Sequence, residues 1–383
     1  MEKQWYGSHF KLGVLGGGQL GRMLIQSALN YDVRVYCMDS SKKAPCGAIA
    51  HHFYEGNIKD YDDVMDFGKD KDVVTVEIEH VNTKALKDLE KKGVKVFPQP
   101  DILSVIQDKG LQKKIYKTNG IPTAPFELIE GKEELNDHTH FLPFYQKLRK
   151  GGYDGKGVYK ISSPNDFKKA FDGPCVLEKL IDFKKELSII VARNEKGEVS
   201  TYPLVECEFN PELNLVEFLF SPADVSKKTH DEAKEIATKL IQNLGMVGVL
   251  AVELFLTKDG ELLVNEIAPR THNSGHHTIE CNITSQFEQH LRAITNQSLG
   301  DTSLHRPGVM INLLGAKGAH GKTIYEGISK IIGIPGVYPH LYGKEETKPH
   351  RKMGHVTIVA DDLKKAKQTA RKVKNSIRVV GDR

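Results

Sequence analysis

Residues 147–158 read KLRKGGYDGKGV, and the reading of this stretch decides the fold. Apolar segments at 141–145 and 158–161 flank it. Gly151, Gly152, Gly155 and Gly157 let the backbone turn sharply and leave its N–H groups uncovered. Lys147, Lys150 and Lys156 ring those groups with positive charge, an arrangement that suits a polyphosphate. No G-x-x-x-x-G-K-[ST] is present, so this is not a Walker A loop, and it opens no strong helix. It reads as a β-hairpin folding over a nucleotide; the alternative is an ordinary glycine-rich turn.

Outward from the hairpin the chain divides into three units. Residues 11–15, 33–38, 73–78 and 94–97 are apolar and strand-like, with a helical pattern over 22–30 after the first. Alternating β and α segments predict a parallel sheet covered by helices. Helix-rich polar sequence over 101–120 leads to the hairpin unit, which Gly120-Ile121-Pro122 opens. There the expected strand pairs are 145–148 with 158–161, 175–180 with 187–193, and 249–256 with 262–267. Lys258-Asp259-Gly260 makes the last pair a hairpin, and 229–244 reads as a helix. A third unit begins near Arg306-Pro307-Gly308, with strands at 309–313 and 355–359 and a closing helix at 361–377.

Composition narrows the function classes. The 383 residues are enough for two or three domains with a large core. The 54 basic residues barely outnumber the 50 acidic ones, which argues against a dedicated nucleic-acid binder. Cys37, Cys46, Cys175, Cys207 and Cys281 are scattered and odd in number, as in a reduced, intracellular protein without a zinc site. The apolar run 247–256 is broken by Glu253 and is too short to span a bilayer. The first residues, MEKQWYGSHF, carry no apolar signal core, so the expected compartment is the cytoplasm.

Four constellations carry chemistry. GGGQLG at 16–21 follows a strand, and Asp39 ends the next one, which fits a dinucleotide site. Gln19 and Arg22 at the first helical turn fit a phosphorylated ligand equally well. Glu253 and Glu266 each sit in an apolar strand, where a lone carboxylate is costly. Facing each other across a hairpin, with Asn265 beside them, they offer hard oxygen ligands for Mg²⁺; structural ion pairs are the other reading. The loop APRTHNSGH at 268–276 follows directly and can hold a small oxyanion beside the metal. His276, His277 and Glu280 match no zinc spacing. Finally, residues 342–355 are locally basic, with Lys344, Lys348, Arg351 and Lys352, and suit a phosphate or a solvated face.

Together these stretches resemble the ATP-grasp enzymes and, within them, the N5-carboxyaminoimidazole ribonucleotide synthetase family. The carrying motifs are GGGQLGRML at 16–24, TVEIEHV at 75–81, IPTAPF at 121–126, GGYDGKG at 151–157, NEIAPRTHNSGH at 265–276, SQFEQHLRAI at 285–294 and RKMGHV at 351–356. The resemblance implies an α/β and α+β fold: a Rossmann-like N-terminal domain over 1–105, a central ATP-grasp domain over 106–303 and a small C-terminal domain over 304–383. It implies a homodimer and a carbon–nitrogen ligase joining ATP, bicarbonate and 5-aminoimidazole ribonucleotide, with Mg²⁺ or Mn²⁺. By position, Lys109 and Lys147 meet the ATP phosphates under a lid of Gly152, Tyr153, Asp154, Gly155, Lys156 and Gly157. Glu178 and the backbone of Lys179, Leu180 and Ile181 meet adenine, and Glu186 the ribose. Glu253 and Glu266 hold the metal, with Asn265 at the nucleotide. Gln19, Asp154, Lys156, His272, Asn273, Lys344 and Arg351 face the ribonucleotide, and Arg270 grips bicarbonate or carboxyphosphate; Arg270, Lys344 and Arg351 are the expected catalytic group. One departure is Phe209, at the end of VECEF, where the family often has an ATP-contacting histidine. Three other readings remain: an NAD-dependent oxidoreductase, a non-catalytic nucleotide sensor, and a formate-using transformylase.

Overall fold

The computed structural model describes residues 4–152, 157–211, 213 and 215–382. The N-terminal unit runs β1 (Gly7–Leu15), α1 (Gln19–Leu29), β2 (Val33–Asp39), β3 (His52–Glu55), α2 (Tyr61–Gly68), β4 (Val73–Val76), α3 (Thr83–Lys91) and β5 (Lys95–Val96). Its five strands are all parallel, in the order β3-β2-β1-β4-β5. The central strands β1, β2 and β4 bury most of both faces, as parallel sheets do. Leu12, Val14, Val33 and Val35 pack on Met23, Leu24 and Ile25 of α1, while Met38, Val74 and Val76 pack on Phe67, Leu86 and Leu89. Helix α1 begins at Gln19, three residues before the expected Arg22. Its N-cap Gly18 has no side chain to accept a helix N–H, and the Glu77 carboxylate does the capping from just beyond β4, accepting Leu20 N–H at 3.1 Å.

Helices α4 (Pro100–Ile106) and α5 (Lys109–Thr118) lead into a second sheet of β6 (Phe126–Ile129), β7 (Phe144–Leu148), β8 (Val158–Ile161) and β9 (Cys175–Lys179). Its order is β6-β9-β7-β8, and β7 and β8 are the antiparallel arms of the glycine hairpin, as expected. Then come β10 (Phe183–Arg193), β11 (Val199–Thr201), β12 (Val205–Asn210), β13 (Leu215–Ser221), α6 (Lys227–Leu244), β14 (Gly248–Thr257) and β15 (Leu262–Ala268). The expected pairing of 175–180 with 187–193 does not occur. β9 lies between β6 and β7, whereas β10 pairs with β14, β12 and β11. Only three residues separate β9 and β10, yet they enter different sheets, because β10 supplies a continuous buried run, Leu187–Ala192, to the larger one.

After α7 (Thr278–Cys281) and α8 (Gln286–Ile294), the last unit runs β16 (Gly308–Leu314), β17 (Gly321–Glu326), α9 (Ile328–Ile331), β18 (Val337–Leu341), β19 (Glu346–Thr347), β20 (Lys352–Val359), α10 (Leu363–Ser376) and β21 (Arg378–Gly381). The large sheet continues into it, in the order β15-β14-β10-β12-β13-β16-β20-β18 with β11 on β10. The chain's central and C-terminal thirds therefore share one hydrogen-bonded sheet across the expected boundary at 303/304. β17 pairs apart from it with β19 and β21.

Candidate active site

A cleft lies between the hairpin sheet, the start of α5 and the β14–β15 edge of the large sheet. Lys109 opens α5 and its Nζ donates to Glu266 Oε2 at 2.8 Å. Lys147, on β7, pairs with Glu178 on β9 and donates to Asn265 Oδ1 at 3.4 Å. Two polar clasps fix these lysines. Asp108 caps α5 by accepting Gly110 N–H at 2.9 Å and Leu111 N–H at 3.2 Å. Arg149, two residues beyond Lys147, grips the same carboxylate in a bidentate pair at 2.9 and 2.8 Å, and its carbonyl accepts Lys109 N–H at 2.9 Å. Burial opposes the Glu178 charge, but Lys147 and Lys113 outweigh it and hold its carboxyl below the ordinary value.

The acidic pair sits at a β-bulge. Val252 pairs with Ile267 and Leu254 with Val264, so Glu253 faces two residues, Asn265 and Glu266. A bulge re-aims side chains, and here it sets the two carboxylates against each other. Burial and then the Glu266 charge push Glu253 up, while Lys109 holds Glu266 down. Glu266 keeps 49% of its side chain open to the cleft, so a ligand can reach it. Two repelling carboxylates and an amide oxygen supply part of a coordination shell. That donor set fits Mg²⁺, which keeps waters and bridges to phosphate oxygens.

The loop after β15 brings its polar residues to the same place. Arg270 Nε donates to Glu79 Oε2 at 2.6 Å. Burial works against the Glu79 charge, yet Arg270 lowers that carboxyl to about 2. His272 Nε2 lies 3.7 Å from Glu253 Oε1, and its Nδ1 pairs with Ser274 Oγ at 2.9 Å. Burial, Arg270 and Lys352 lower His272 to about 3, so the ring is neutral at ordinary pH. The fully buried Gln286 of α8 clamps the loop, accepting His272 N–H at 2.9 Å and donating to His272 O at 2.7 Å. A Cβ on Gly275 would stand 2.4 Å from Gln286 Oε1, which leaves glycine alone compatible with this clamp. Asn273 makes a reciprocal amide pair with Asn312 of β16, at 2.9 and 3.0 Å.

The glycine motif of the N-terminal unit is filled by the chain's own acids. Asp39 Oδ2 accepts Gly17 N–H at 2.7 Å, and Glu77 occupies the N-terminus of α1. A dinucleotide pyrophosphate would need that helix end and its ribose would need that aspartate. Burial raises Glu77 to about 7, against the pull of Arg270. The C-terminal basic run reaches this end of the cleft: Lys344 acts on the Glu77 charge, and Lys352 acts on Glu253 and His272. Lys344 Nζ donates to Lys352 O at 2.6 Å and lines a cavity of about 890 Å³ together with Lys322 and Lys348. Arg351 is exposed, with Nη1 donating to Glu346 O at 2.6 Å.

Among the remaining expected residues, Gln19 is half-buried at the first position of α1. Lys179 turns away, donating to the carbonyls of Phe141 and Leu142. Leu180 and Ile181 are half-buried between β9 and β10. Glu186 lies on β10 facing Cys207 and Phe255, and burial raises it to about 7. Gly152 and Gly157 flank the hairpin tip, Gly157 with φ +75°; Tyr153, Asp154, Gly155 and Lys156 lie outside the described residues. Phe209 is half-buried on β12 where its pairing to β13 slips by one residue. Sequence reasoning missed Lys113, Glu79, Gln286 and Asn312 as members of the site. Lys113 is four residues after Lys109 and so shares its helix face. Asn312 is a polar residue within an apolar strand, a signal of the same kind as Glu253.

Three family models match in succession: a ribonucleotide synthetase preATP-grasp domain over residues 10–107, an ATP-grasp domain over 114–287, and a phosphoribosylaminoimidazole carboxylase C-terminal domain over 308–369. The N5-carboxyaminoimidazole ribonucleotide synthase of Bacillus subtilis is 39% identical over 356 residues, covering 91% of each chain. The chloroplastic phosphoribosylaminoimidazole carboxylase of Vigna aconitifolia is 41% identical over 92% of this chain, which spans 64% of that longer relative. The crystal structure of N5-carboxyaminoimidazole ribonucleotide synthetase from Thermotoga maritima superposes with a TM-score of 0.90 at 42% identity, covering 97% of this chain and 100% of that one. The Aspergillus clavatus enzyme in complex with ADP and 5-aminoimidazole ribonucleotide gives 0.87 at 33% identity, covering 97% and 99%.

Proposed function

The chain belongs to the N5-carboxyaminoimidazole ribonucleotide synthase family, whose ATP-dependent carboxylation of 5-aminoimidazole ribonucleotide in purine biosynthesis it performs, and we propose that its cleft does so with bicarbonate through carboxyphosphate. The observation that carries this reading is the continuity of the site. Lys109 joins the lysine cluster to Glu266, Glu253 lies beside His272, and Arg270 stands two residues after β15 ends.

Lys109 and Lys147 hold the ATP phosphates. Their present partners, Glu266 and Glu178, are carboxylates, the charge type a phosphate replaces. Glu253, Glu266 and Asn265 are the residues that would hold Mg²⁺, which supplies neutralisation of charge on the transferring phosphoryl group. Arg270, aligned by Glu79, grips bicarbonate; its fixed planar fork matches a small oxyanion. Transfer of the γ-phosphoryl to a bicarbonate oxygen releases ADP and gives carboxyphosphate. The ribonucleotide amine then attacks the carboxyl carbon, and phosphate leaves. No protein nucleophile takes part. Gln19, His272, Asn273, Lys344 and Arg351 orient the ribonucleotide, with Asp154 and Lys156 from the glycine-rich sequence between β7 and β8. Glu186 takes the ATP ribose. Nδ1 of neutral His272 accepts Ser274 N–H at 3.3 Å, so the ring proton sits on Nε2, which can donate a hydrogen bond to the ribonucleotide. The family resemblance supports a homodimer, and the five free thiols support a cytoplasmic setting.

The test is ADP release at fixed ATP, Mg²⁺ and bicarbonate, with and without 5-aminoimidazole ribonucleotide. Strong stimulation by the ribonucleotide, lost when bicarbonate is removed, is expected. Equal stimulation by formate with glycinamide ribonucleotide overturns the assignment.

A further inference from the structure

One buried charge in the lysine cluster has no part in this scheme. Lys113 follows Lys109 by one helical turn on α5 and is 4% exposed. It pairs with one oxygen of Glu178 while Lys147 takes the other. The two lysines differ in what else holds them. Lys113 Nζ donates to Thr123 Oγ1 at 2.6 Å, and Thr123 donates in turn to Val264 O at 2.7 Å, so this ammonium is anchored to the backbone of β15. Lys147 has only the longer 3.4 Å contact to Asn265 Oδ1 besides Glu178, and its side chain is more open, 17% against 5% for Lys113. An arriving polyphosphate therefore competes with Glu178 for Lys147 and leaves Lys113 in place. Were Lys113 absent, Glu178 would then face the closed cleft as a buried carboxylate with no partner. Such a group takes up a proton and ceases to be a pure acceptor.

We propose that Lys113 is a positioning residue for nucleotide binding: it stays on Glu178 when Lys147 turns to the phosphates, and so keeps that carboxylate charged and fixed as the acceptor for the amino group of adenine. This rests on the ATP-cleft reading above. The same carboxylate disfavours guanine, which presents a carbonyl oxygen where adenine presents an amino group. Lys113 is thus a determinant of nucleotide choice that never touches the nucleotide.

The experiment compares Lys113→Met, Lys113→Arg, Glu178→Gln and the double variant Lys113→Met/Glu178→Gln in steady-state turnover with ATP and with GTP. Lys113→Met is expected to raise KM for ATP ~10- to 100-fold and to narrow the ATP preference over GTP. KM for the ribonucleotide should stay within about twofold, since its ligands lie elsewhere. Lys113→Arg should recover most of the loss by restoring the charge. Because Lys113 acts through Glu178, the double variant should bind ATP no worse than Glu178→Gln alone. That comparison also serves if Lys113→Met alone does not fold, since the double variant removes the buried carboxylate charge together with its lysine and leaves only Lys147, whose side chain is the more open of the two. An unchanged KM for ATP in Lys113→Met overturns the proposal. So does a fall in kcat with both KM values unmoved, or a further tenfold loss in the double variant, which would place Lys113 on the phosphates itself. Failure of the underlying reading would show instead in the unaltered protein, as ADP release indifferent to the ribonucleotide.

Discussion

Glu266 stands at the meeting of the lysine cluster and the bulge, paired with Lys109 and repelled by Glu253. Glu266→Gln keeps the shape and removes the charge. The expected result is a loss of roughly 100-fold or more in kcat with the circular-dichroism spectrum unchanged, because the side chain is half open and carries no core packing. A folded variant with near-normal kcat would mean that Glu266 is structural. Glu77 gives a pH prediction. Its carboxyl is raised from 4.5 to about 7, chiefly by burial. Between those values the native protein holds a proton that the unfolded chain has released. The contribution of this group to stability is therefore fully present below the unfolded value and is lost as pH rises toward the folded one. Glu77→Gln should remove that slope, so that the variant gains on the parent between pH 5 and pH 8 in urea unfolding. A constant difference across that range would show that Glu77 is charged in the fold.

At the scale of elements, the hairpin and α5 act as one piece because Arg149 and Asp108 are locked together beside Lys109 and Lys147. Their side chains are 17% and 5% exposed, so the pair is largely removed from solvent. Arg149→Ala would leave Asp108 with its two helix N–H donors but without its cation. Breaking a buried pair from one side costs about 3–5 kcal/mol, and the retained capping bonds should bring this to about 2–4 kcal/mol. Calorimetric unfolding should show the fall, together with a rise in KM for ATP as Lys109 and Lys147 lose their shared frame. Destabilisation without any change in KM would mean that the lysines are positioned by something else. The bulge is a device of the same kind: one extra residue on β15 sets Glu253 against both Asn265 and Glu266, so an amide joins the two carboxylates.

At the scale of the whole molecule, the site draws on all three thirds of the chain. Glu77 and Glu79 come from the end of β4, the acidic pair Glu253 and Glu266 from β14 and β15, and the basic run from the segment around β20. The large sheet carries the C-terminal strands to the cleft by pairing β13 with β16 and β16 with β20. If Lys344 and Arg351 hold the phosphate of the ribonucleotide, Lys344→Ala or Arg351→Ala should weaken its binding by about 1.5–3 kcal/mol, roughly ten- to a hundredfold in KM. KM for ATP should hardly move, since the lysines proposed for its phosphates lie on α5 and the hairpin sheet. Arg351→Lys should recover part of the loss only, because lysine cannot make a bidentate contact. A rise in KM for ATP with that for the ribonucleotide unmoved would assign the basic run to the other substrate.

Local pattern by itself determined the parallel N-terminal sheet, the β7–β8 and β14–β15 hairpins, helix α6 and the main chemical groups, because period, glycine placement and turn residues act over a few neighbours. An acid in an apolar strand announced Glu253 and Glu266 for the same reason: its burial cost is visible from the residues beside it. What the tertiary structure alone decided depends on partners far away in the chain. Strands β9 and β10 look alike in sequence, and only the competition for edges of two sheets sends them apart. Glu77 takes the helix end that a cofactor phosphate would need, 57 residues beyond Leu20 in sequence. Lys113 reads as one more surface lysine on a polar helix until folding lays β9 against it. A charge acquires its meaning from what is desolvated with it, and desolvation is a property of the folded chain.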